Sequence, residues 1–383
     1  MLDGRGLDAE TGVGIVGVGV ISAQYLDQIA GLTGIRVVAV ADVDAARAAQ
    51  VAASSGARAE SVEALLADPA VDIVLNLTTP PFHAEIDRQA VAAGKHVYSE
   101  KPLALSFGDG RAVLAEAERQ SLRVGCAPDT FLGTGLQTTL AALRSGQIGT
   151  PFAASAFWSS PGHEQWHPNP GFYYRAGGGP VMDMGPYYLT ALVTHLGPVR
   201  RVRSVVLTTG RERVVATGPL AGRRIEVDVP THATAILEHE AGAVSTLTVS
   251  FELWESQRPQ LEIYGTAGTL VLPDPNCSDG VGAVYRAGGA GWSQLPVTHG
   301  YLGSGRGIGL AEMARAIRDG VPHRASGDLA LHVLDVMAAI ERPPADGSAT
   351  TMTTTVDVPA LVPLTRASDV MTPQTRSGSL ARA

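Results

Sequence analysis

The sequence predicts an α/β fold, with a doubly wound parallel sheet followed by a second α/β domain that contains a mostly antiparallel open sheet. Over about the first 125 residues, short apolar runs alternate with helical stretches, which is typical of parallel strands joined by right-handed crossovers. After residue 150, strand-like stretches follow one another with few helices between them. The 383 residues are 45% apolar and 17% charged, which fits a globular chain of two or three domains.

The first half of the chain predicts parallel strands that are buried on both faces, because each is a short apolar run bounded by polar residues or glycine. These strands are 13–18, 35–42, 71–78, 96–102 and 122–127. The intervening helices are 22–30, 43–54, 61–68, 83–94 and 106–120. Ser61 is a plausible N-cap, and Gly94 is a typical residue to close a helix.

The second half predicts the open sheet and the last helices. Its strands are 151–160, 202–209, 233–240, 243–252, 260–265 and 269–273, and its helices are 181–196, 307–320 and 326–342. We expect a flexible N-terminus at 1–11, a dinucleotide-binding domain at 12–128, a substrate and oligomerisation domain at 129–365 whose final helices pack back on the first domain, and a flexible tail at 366–383.

Composition excludes several classes of protein. Acidic residues outnumber basic ones by 37 to 29, which argues against nucleic acid or an anionic membrane as partner. No apolar run reaches the 18 or so residues of a membrane span, and the acidic first ten residues do not form a signal peptide. With only Cys126 and Cys277, neither a disulfide framework nor a cysteine-built zinc site organises the fold. We expect a cytoplasmic protein.

A glycine-rich turn between the first strand and helix predicts a dinucleotide site. Its pattern is Gly17-x-Gly19-x-x-Ser22, with Val20 and Ile21 at the start of the helix. The first glycine allows the tight turn, and the second lets the backbone approach a pyrophosphate at the helix N-terminus. Asp42 ends the second strand, where an acid binds the ribose hydroxyls and repels a 2′-phosphate, so NAD is favoured over NADP. The alternative is a glycine turn in a flavodoxin-like sheet, with Asp42 as a capping residue.

Two further segments follow strands at the same edge of the sheet, where ligands bind in this architecture. Thr79, Pro80 and His83 come after the third strand, although His83 could equally be a helix residue with no ligand. Glu100 and Lys101 end the fourth strand. We expect both segments to contact the cofactor.

Lysine is rare in this chain. Of the 29 lysine and arginine residues, only Lys95 and Lys101 are lysine, and the rest are arginine. A lysine can lose its proton when desolvated and an arginine cannot, so Lys101 is a candidate for proton transfer. The alternatives are chance and, for Lys101, a structural ion pair with Glu100.

Four stretches together resemble the Gfo/Idh/MocA family of sugar and polyol oxidoreductases: GVGVIS (17–22), AAGKHVYSEKPLA (92–104), GGGPVMDMGPYYL (177–189) and LEIYGTAGTLVLPDPN (261–276). The resemblance spans roughly residues 12–360. It implies a Rossmann domain, a second domain whose open sheet mediates assembly into a homodimer or homotetramer, and a place for Lys101 beside the nicotinamide and the substrate hydroxyl. Burial and the nicotinamide charge would both lower the lysine pKa towards neutrality, which suits acid–base work.

Members of that family carry Asp-x-x-x-His at the start of the helix, whereas this chain has Asp183 and Tyr187. Positions i and i+4 share a helix face, so both side chains can face one pocket. The lysine ammonium could lower the pKa of Tyr187 enough for acid–base work, or Tyr187 could only hydrogen-bond the sugar. We expect Lys101, Asp183 and Tyr187 to handle the proton, and His195 to belong to the core or an interface.

The stretch from 158 to 180 is rich in groups that bind sugars. Tryptophan faces offer stacking, and histidine, tyrosine and arginine offer hydrogen bonds. The candidates for substrate contact are Trp158, His163, Trp166, His167, Tyr174 and Arg175. No metal site is expected, and the alternative is a surface loop with some aromatic packing.

These residues predict an NAD-dependent enzyme that moves a hydride between the cofactor and a secondary hydroxyl of a carbohydrate or cyclitol. A first alternative is an NAD-dependent glycoside hydrolase that works by transient oxidation, elimination, water addition and re-reduction. It would need a further acid–base, for which His163, Glu164 and His167 are candidates. A second alternative is a non-enzymatic sensor of NAD and sugar.

Overall fold

The computed structural model describes residues 10–372, and within them the predicted parallel sheet is confirmed. Its six strands pair in parallel in the order β3-β2-β1-β4-β5-β6. The strands are β1 (Thr11–Val16), β2 (Ile35–Ala41), β3 (Arg58–Ala59), β4 (Ile73–Asn76), β5 (His96–Ser99) and β6 (Val124–Cys126). The carboxyl ends of β1, β4 and β5 therefore meet at one edge.

Helices cover both faces of this sheet, and their caps follow the sequence. They are α1 (Ser22–Ala30), α2 (Ala45–Ser55), α3 (Val62–Ala67), α4 (His83–Ala92) and α5 (Phe107–Arg119). Ser61 caps α3 as predicted, because its hydroxyl accepts the Ala64 N–H at 3.2 Å. Asp44 and Ser106 cap α2 and α5 in the same way.

Helix α6 (Thr134–Arg144) leads into the second domain, and sequence analysis missed it. Nine of its eleven residues are buried, including several threonines. A helix with almost no exposed face lacks the alternation of polar and apolar residues by which helices are recognised.

The second domain is built on a mixed sheet, with strand order β16-β15-β14-β13-β7-β12-β11-β8-β18 within the described residues. In chain order the strands are β7 (Pro151–Ser159), β8 (Val199–Leu207), β9 (Glu212–Val214), β10 (Arg224–Glu226), β11 (His232–His239), β12 (Val244–Ser250), β13 (Leu261–Gly265), β14 (Gly268–Val271), β15 (Ala283–Arg286), β16 (Trp292–Gln294), β17 (Tyr301–Leu302), β18 (Thr350–Thr351) and β19 (Thr365–Arg366). The central β7 pairs in parallel with β12, and the remaining pairs of this sheet are antiparallel. A short β9–β10 hairpin stands apart from it.

The remaining helices are α7 (Gly179–Leu196), α8 (Ile308–Asp319) and α9 (Gly327–Glu341). Helices α7 and α9 cover one face of the mixed sheet and leave the other open, whereas α8 contacts α1 and β6 of the first domain. The Cys126 N–H of the first sheet donates to Ala325 O just before α9, at 3.1 Å. On the open face, Val205, Ile236 and Val244 are 66%, 46% and 41% exposed.

The chain ends differ from the flexible segments expected from the sequence. Residue 11 already belongs to β1, and residues 366–372 pack against the fold instead of starting a tail. Arg315 and Arg318 donate to the carbonyl groups of Val370 and Met371, whose side chains are buried. Residues 1–9 and 373–383 of the predicted flexible segments lie outside the described residues. No helix in the described part of the chain is long and apolar enough to cross a membrane.

Buried histidines predict a loss of stability in mild acid. Burial lowers the pKa of each from 6.5 to about 4; the residues concerned are His96, His195, His239 and His323. Between these pH values the unfolded chain binds more protons than the folded one, so stability falls as the pH falls, by up to about 3 kcal/mol per histidine. Urea unfolding at stepped pH checks this expectation.

His195→Gln serves as the control for that measurement. The His195 imidazole donates through Nδ1 to Ala191 O at 2.8 Å, and glutamine keeps a donor without a titrating group. We expect the variant to be less stable at pH 7.5 but to lose less stability between pH 6.5 and 4. An unchanged slope would contradict the assignment of acid sensitivity to these side chains.

Candidate active site

The glycine-rich turn between β1 and α1 has the shape that a pyrophosphate needs. Gly17 has φ +90°, and a Cβ there would lie 2.7 Å from Thr78 N, so only glycine lets this turn approach the loop after β4. A Cβ on Gly19 would meet nothing within 4 Å, and Val20 beside it is 94% exposed. No side chain caps α1, so no side-chain oxygen occupies its N-terminus, where the Ser22 and Gln24 N–H groups donate to the carbonyls of Gly19 and Ile21.

Two predicted cofactor residues also hold the turn in place. The Asp42 carboxylate accepts the N–H groups of Val18 and Asp44, both at 2.8 Å, and the Ser22 hydroxyl donates to Gly19 O at 2.7 Å. Each carboxylate oxygen keeps a second lone pair, so Asp42 can still accept a ribose hydroxyl. Ile21 occupies the N-cap position just before α1, makes no side-chain cap and packs against the core.

The segment after β4 lies at the expected edge, and the His83 side chain is buried beneath it. Thr79 and Pro80 begin a short 3₁₀ turn there, with Thr79 exposed and Pro80 partly buried. The His83 Nδ1 lies 2.7 Å from Pro102 O and its Nε2 lies 2.9 Å from Thr78 O. Both ring nitrogens thus bind backbone and tie the loop after β4 to that after β5, and the contact of His83 with the cofactor stays a prediction.

Glu100 is likewise used to position its neighbours. Its carboxylate accepts the Tyr25 hydroxyl of α1 at 2.8 Å and the Lys101 backbone N–H at 2.9 Å. The side chain is buried, so it fixes the end of β5 against α1. The alternative of an ion pair between Glu100 and the Lys101 ammonium is not what the structure contains.

The Lys101 ammonium instead binds Asp183, at the start of α7. Nζ donates to Asp183 Oδ1 at 3.0 Å and to Asp183 O at 2.8 Å, and each side chain is 16% exposed. Burial by itself lowers the pKa of Lys101, but the Asp183 charge outweighs it, and the net pKa lies above its ordinary value. The sequence led us to expect a lowered pKa, and that expectation is corrected here.

His163 completes a hydrogen-bonded chain with these two residues. Its Nε2 lies 2.8 Å from Asp183 Oδ2, so the carboxylate has lysine on one oxygen and imidazole on the other. Burial alone raises the pKa of Asp183, yet Lys101 and the His163 hydrogen bond together hold it well below its usual range. His163 Nδ1 is buried without a partner, among the rings of Tyr173 and Phe251 at 4.1 and 4.5 Å.

Tyr187 faces the same group through its ring. Lys101 Nζ lies 5.1 Å from the ring centroid, a cation–π distance. Burial raises the pKa of Tyr187, and the nearby lysine only partly offsets that effect. A tyrosine of lowered pKa is therefore not what the structure provides, and Tyr187 stays a protonated phenol at neutral pH.

The stretch 158–180 divides between the site and its support. Glu164 is buried and accepts the Tyr174 hydroxyl and the Arg213 guanidinium from the β9–β10 hairpin. Arg175 pairs at the surface with Glu226 and Asp228.

Among the predicted sugar contacts, Tyr174 and Arg175 are thus engaged in holding the loop, and their contact with a sugar stays a prediction. His163 lies at Asp183, with Trp158 and Trp166 against its ring at 6.2 and 5.1 Å. Trp166 is 57% exposed, and His167 lies beside it at 5.3 Å, so both remain at the open side of the loop.

Sequence analysis missed two residues near this group, Tyr173 and Arg306. Burial and the Asp183 charge raise the pKa of Tyr173 to about 12. Arg306, before α8, places its guanidinium carbon 5.1 Å from the Tyr187 ring centroid. The signal available for Arg306 was a single charged residue in the glycine-rich run GSGRG (303–307). Across residues 10–372, no cluster of three or more histidine, cysteine or acidic side chains could hold a metal ion.

Comparison with family models matches both halves of the chain. The model described as "Oxidoreductase family, NAD-binding Rossmann fold" matches residues 11–127, and the one described as "GFO/IDH/MocA C-terminal domain" matches residues 136–271.

Among curated relatives, a 1,5-anhydro-D-fructose reductase from Ensifer adhaerens is 30% identical over 241 residues, 62% of this chain and 67% of that protein. A D-apiose dehydrogenase from Paraburkholderia graminis is 30% identical over 218 residues, 55% of this chain and 52% of that one. The matched region thus spans about half to two thirds of these relatives.

Solved structures of similar fold cover nearly the whole chain. The apo form of a levoglucosan dehydrogenase has a TM-score of 0.79 at 20% identity, over 91% of this chain and all of that one. An NAD-binding oxidoreductase from Klebsiella pneumoniae has a TM-score of 0.78 at 22% identity, over 90% and 99%. At these identities the likeness concerns the fold alone.

Proposed function

Because the chain belongs to the Gfo/Idh/MocA family of NAD-binding oxidoreductases, we propose that it transfers a hydride between NAD and a secondary hydroxyl of a carbohydrate or cyclitol. The observation that carries this proposal is the hydrogen-bonded chain Lys101–Asp183–His163, with contacts of 2.8 to 3.0 Å. It lies at the carboxyl edge of the parallel sheet, where this architecture binds its ligands. A cytoplasmic location stays part of the proposal.

The residues around the glycine turn fit the cofactor. The open space at Gly19 and the uncapped start of α1 suit a pyrophosphate, and Asp42 suits the adenosine ribose. When bound, the cofactor accepts or supplies the hydride. Thr79, Pro80 and the end of β5 line the path from there towards Lys101.

Proton transfer in this proposal rests on Lys101. In the reducing direction the substrate carbonyl carbon gains a hydride, and its oxygen takes a proton from the Lys101 ammonium. In the oxidising direction the carbinol C–H bond breaks with its electron pair, and the hydroxyl proton returns to the Lys101 amine. Because Asp183 holds the lysine protonated, the free protein is prepared to donate, and oxidation must first remove that proton.

Asp183 and His163 act on the lysine, and Tyr187 provides a wall of the site. The His163 imidazole donates through Nε2 to Asp183 Oδ2 and so keeps Oδ1 directed at Lys101, while Nδ1 lies without a partner in the aromatic cluster. His163 is therefore a positioning residue in this proposal.

A substrate panel tests the proposed activity. We expect sustained NADH formation, seen at 340 nm, with at least one free sugar, inositol or sugar derivative. Lys101→Met removes the transferable proton and should lower kcat/KM by about 10³-fold. Lys95→Met is the matched control, since Lys95 Nζ binds the carbonyls of Asp68 and Val71 in another part of the structure.

Two outcomes of the panel would overturn the proposal. Aglycone release from glycosides without net NADH, abolished by Lys101→Met, would establish the redox-neutral hydrolase. Tight NAD binding with no turnover of any compound would establish a sensor.

Substitution of His163 tests the hydrogen-bonded chain. His163→Ala frees Asp183 Oδ2 and removes a contact that lowers the Asp183 pKa, so we expect kcat to fall about 100-fold and its acid limb to move to higher pH. His163→Gln keeps a donor and should recover part of the rate. His167→Ala is the control, because His167 contacts the Asn169 N–H and no carboxylate. An unmoved pH profile in His163→Ala would reduce His163 to a packing residue.

We also propose that the open face of the mixed sheet forms a homodimer or homotetramer. Exposed apolar side chains on a flat sheet, Val205, Ile236 and Val244, favour self-association. Sedimentation velocity should give an assembly for the native protein and a monomer of unchanged melting temperature for Ile236→Glu. A native protein that sediments as a monomer at micromolar concentration would contradict this proposal.

A further inference from the structure

Arg306 is a partly buried cation that the proposed proton transfer does not use. It lies between β17 and α8 in a loop that is fixed on both sides. The Gly305 N–H donates to Gln28 of α1, and the Gly307 N–H donates to Asp129 Oδ2 at 2.8 Å. The side chain is thus held by the backbone of a constrained loop and does not swing freely as a surface arginine does.

Its guanidinium is only partly satisfied. Nη2 donates to Asn276 Oδ1 at 2.7 Å, whereas Nη1 is buried with no hydrogen-bond partner. Among residues 10–372 its side-chain hydrogen-bond partner is Asn276, and the Glu100 and Asp129 charges stabilise the guanidinium. A buried donor without an acceptor costs free energy, so the folded chain gains when a ligand supplies one to Nη1.

Arg306 and Lys101 flank the same aromatic ring. The Arg306 guanidinium carbon and Lys101 Nζ each lie 5.1 Å from the Tyr187 centroid, so the two cations are at most about 10 Å apart. A single monosaccharide with its substituents bridges such a distance. A hydroxyl at Lys101 and a second group at Arg306 can therefore belong to one substrate.

The surroundings keep Arg306 charged without occupying Nη1. Burial lowers its pKa, but Tyr187, Glu100 and Asp129 raise it more, and the net pKa lies above its ordinary value. The Glu100 and Asp129 carboxylates accept other donors, from Tyr25, Lys101 and the N-terminus of α8. The site thus contains a preoriented cationic donor, which binds an anionic oxygen more strongly than a neutral hydroxyl.

We propose that Arg306 binds a carboxylate of the substrate through Nη1, so that this protein acts on a sugar acid in preference to a neutral sugar. The proposal rests on the function proposed above, because it places the reacting hydroxyl of the same molecule at Lys101.

Kinetics on matched compounds test this inference. A uronic acid, its methyl ester and the parent aldose differ only in charge or in the carboxyl group. We expect kcat/KM to be highest for the acid, and Arg306→Gln to lower it about 100-fold for the acid and less than fivefold for the two neutral compounds. Arg119→Gln is the matched control, since it removes a surface guanidinium already paired with Glu116 on α5, and it should leave all three values unchanged.

A binding measurement separates this inference from the proposed activity. Calorimetric titration of the uronic acid into the protein with NADH should show binding that Arg306→Gln weakens at least 50-fold, even if none of the panel is turned over. Equal losses of affinity for the charged and the neutral compounds in Arg306→Gln would overturn the inference. Weaker NAD binding by Arg306→Gln would also overturn it, because the guanidinium would then bind the cofactor. A native protein that turns over neutral sugars and does not bind the acid would also overturn it, while leaving the proposed activity intact.

Discussion

The ion pair between Lys101 and Asp183 is the interaction on which the site depends, because it joins the two domains. Lys101 follows a strand of the parallel sheet, and Asp183 lies in the first turns of α7, which packs on the mixed sheet. Neither charge is fully exposed to water, so loss of one partner would leave the other half-buried and uncompensated. The pair therefore sets both the relative position of the domains at this point and the protonation of the lysine.

The polar groups of the residues around this pair bind other parts of the protein and so fix the positions of neighbouring segments. Glu100 ties the end of β5 to α1 through Tyr25, and His83 ties the loop after β4 to Pro102. His163 is also held in place, because its backbone N–H donates to the Tyr174 hydroxyl, which in turn donates to the Glu164 carboxylate. Groups that look like ligand contacts in a sequence thus serve as supports, and few polar atoms are left for a substrate.

The sequence predicted the fold well because alternating buried strands and helices carry a local signal. It placed Lys101 at a strand end for the same reason, whereas the position of Lys101 and Asp183 in one site was implied by the resemblance to the Gfo/Idh/MocA family. It could not place His163 at Asp183, since the connecting stretch runs through Pro161 and Gly162, at φ +106°, and is held by Arg213 of a distant hairpin. Sequence analysis missed Arg306 for a similar reason, because tertiary packing alone brings its partners, Asn276 and Tyr187, next to it.

The sign of the lysine pKa shift shows why composition alone misleads about chemistry. A buried amine loses its proton more readily, which is the reasoning that singled out Lys101. In the folded protein the Asp183 carboxylate, only 3.0 Å away, reverses that effect. The charge on Lys101 then depends on which other groups bind the Asp183 carboxylate. In the described structure, His163 is the one side chain that binds the second carboxylate oxygen, Oδ2. In the proposed reaction, a ligand that draws Asp183 away from the ammonium would release the amine for proton abstraction, and the carboxylate would then set the balance between reduction and oxidation.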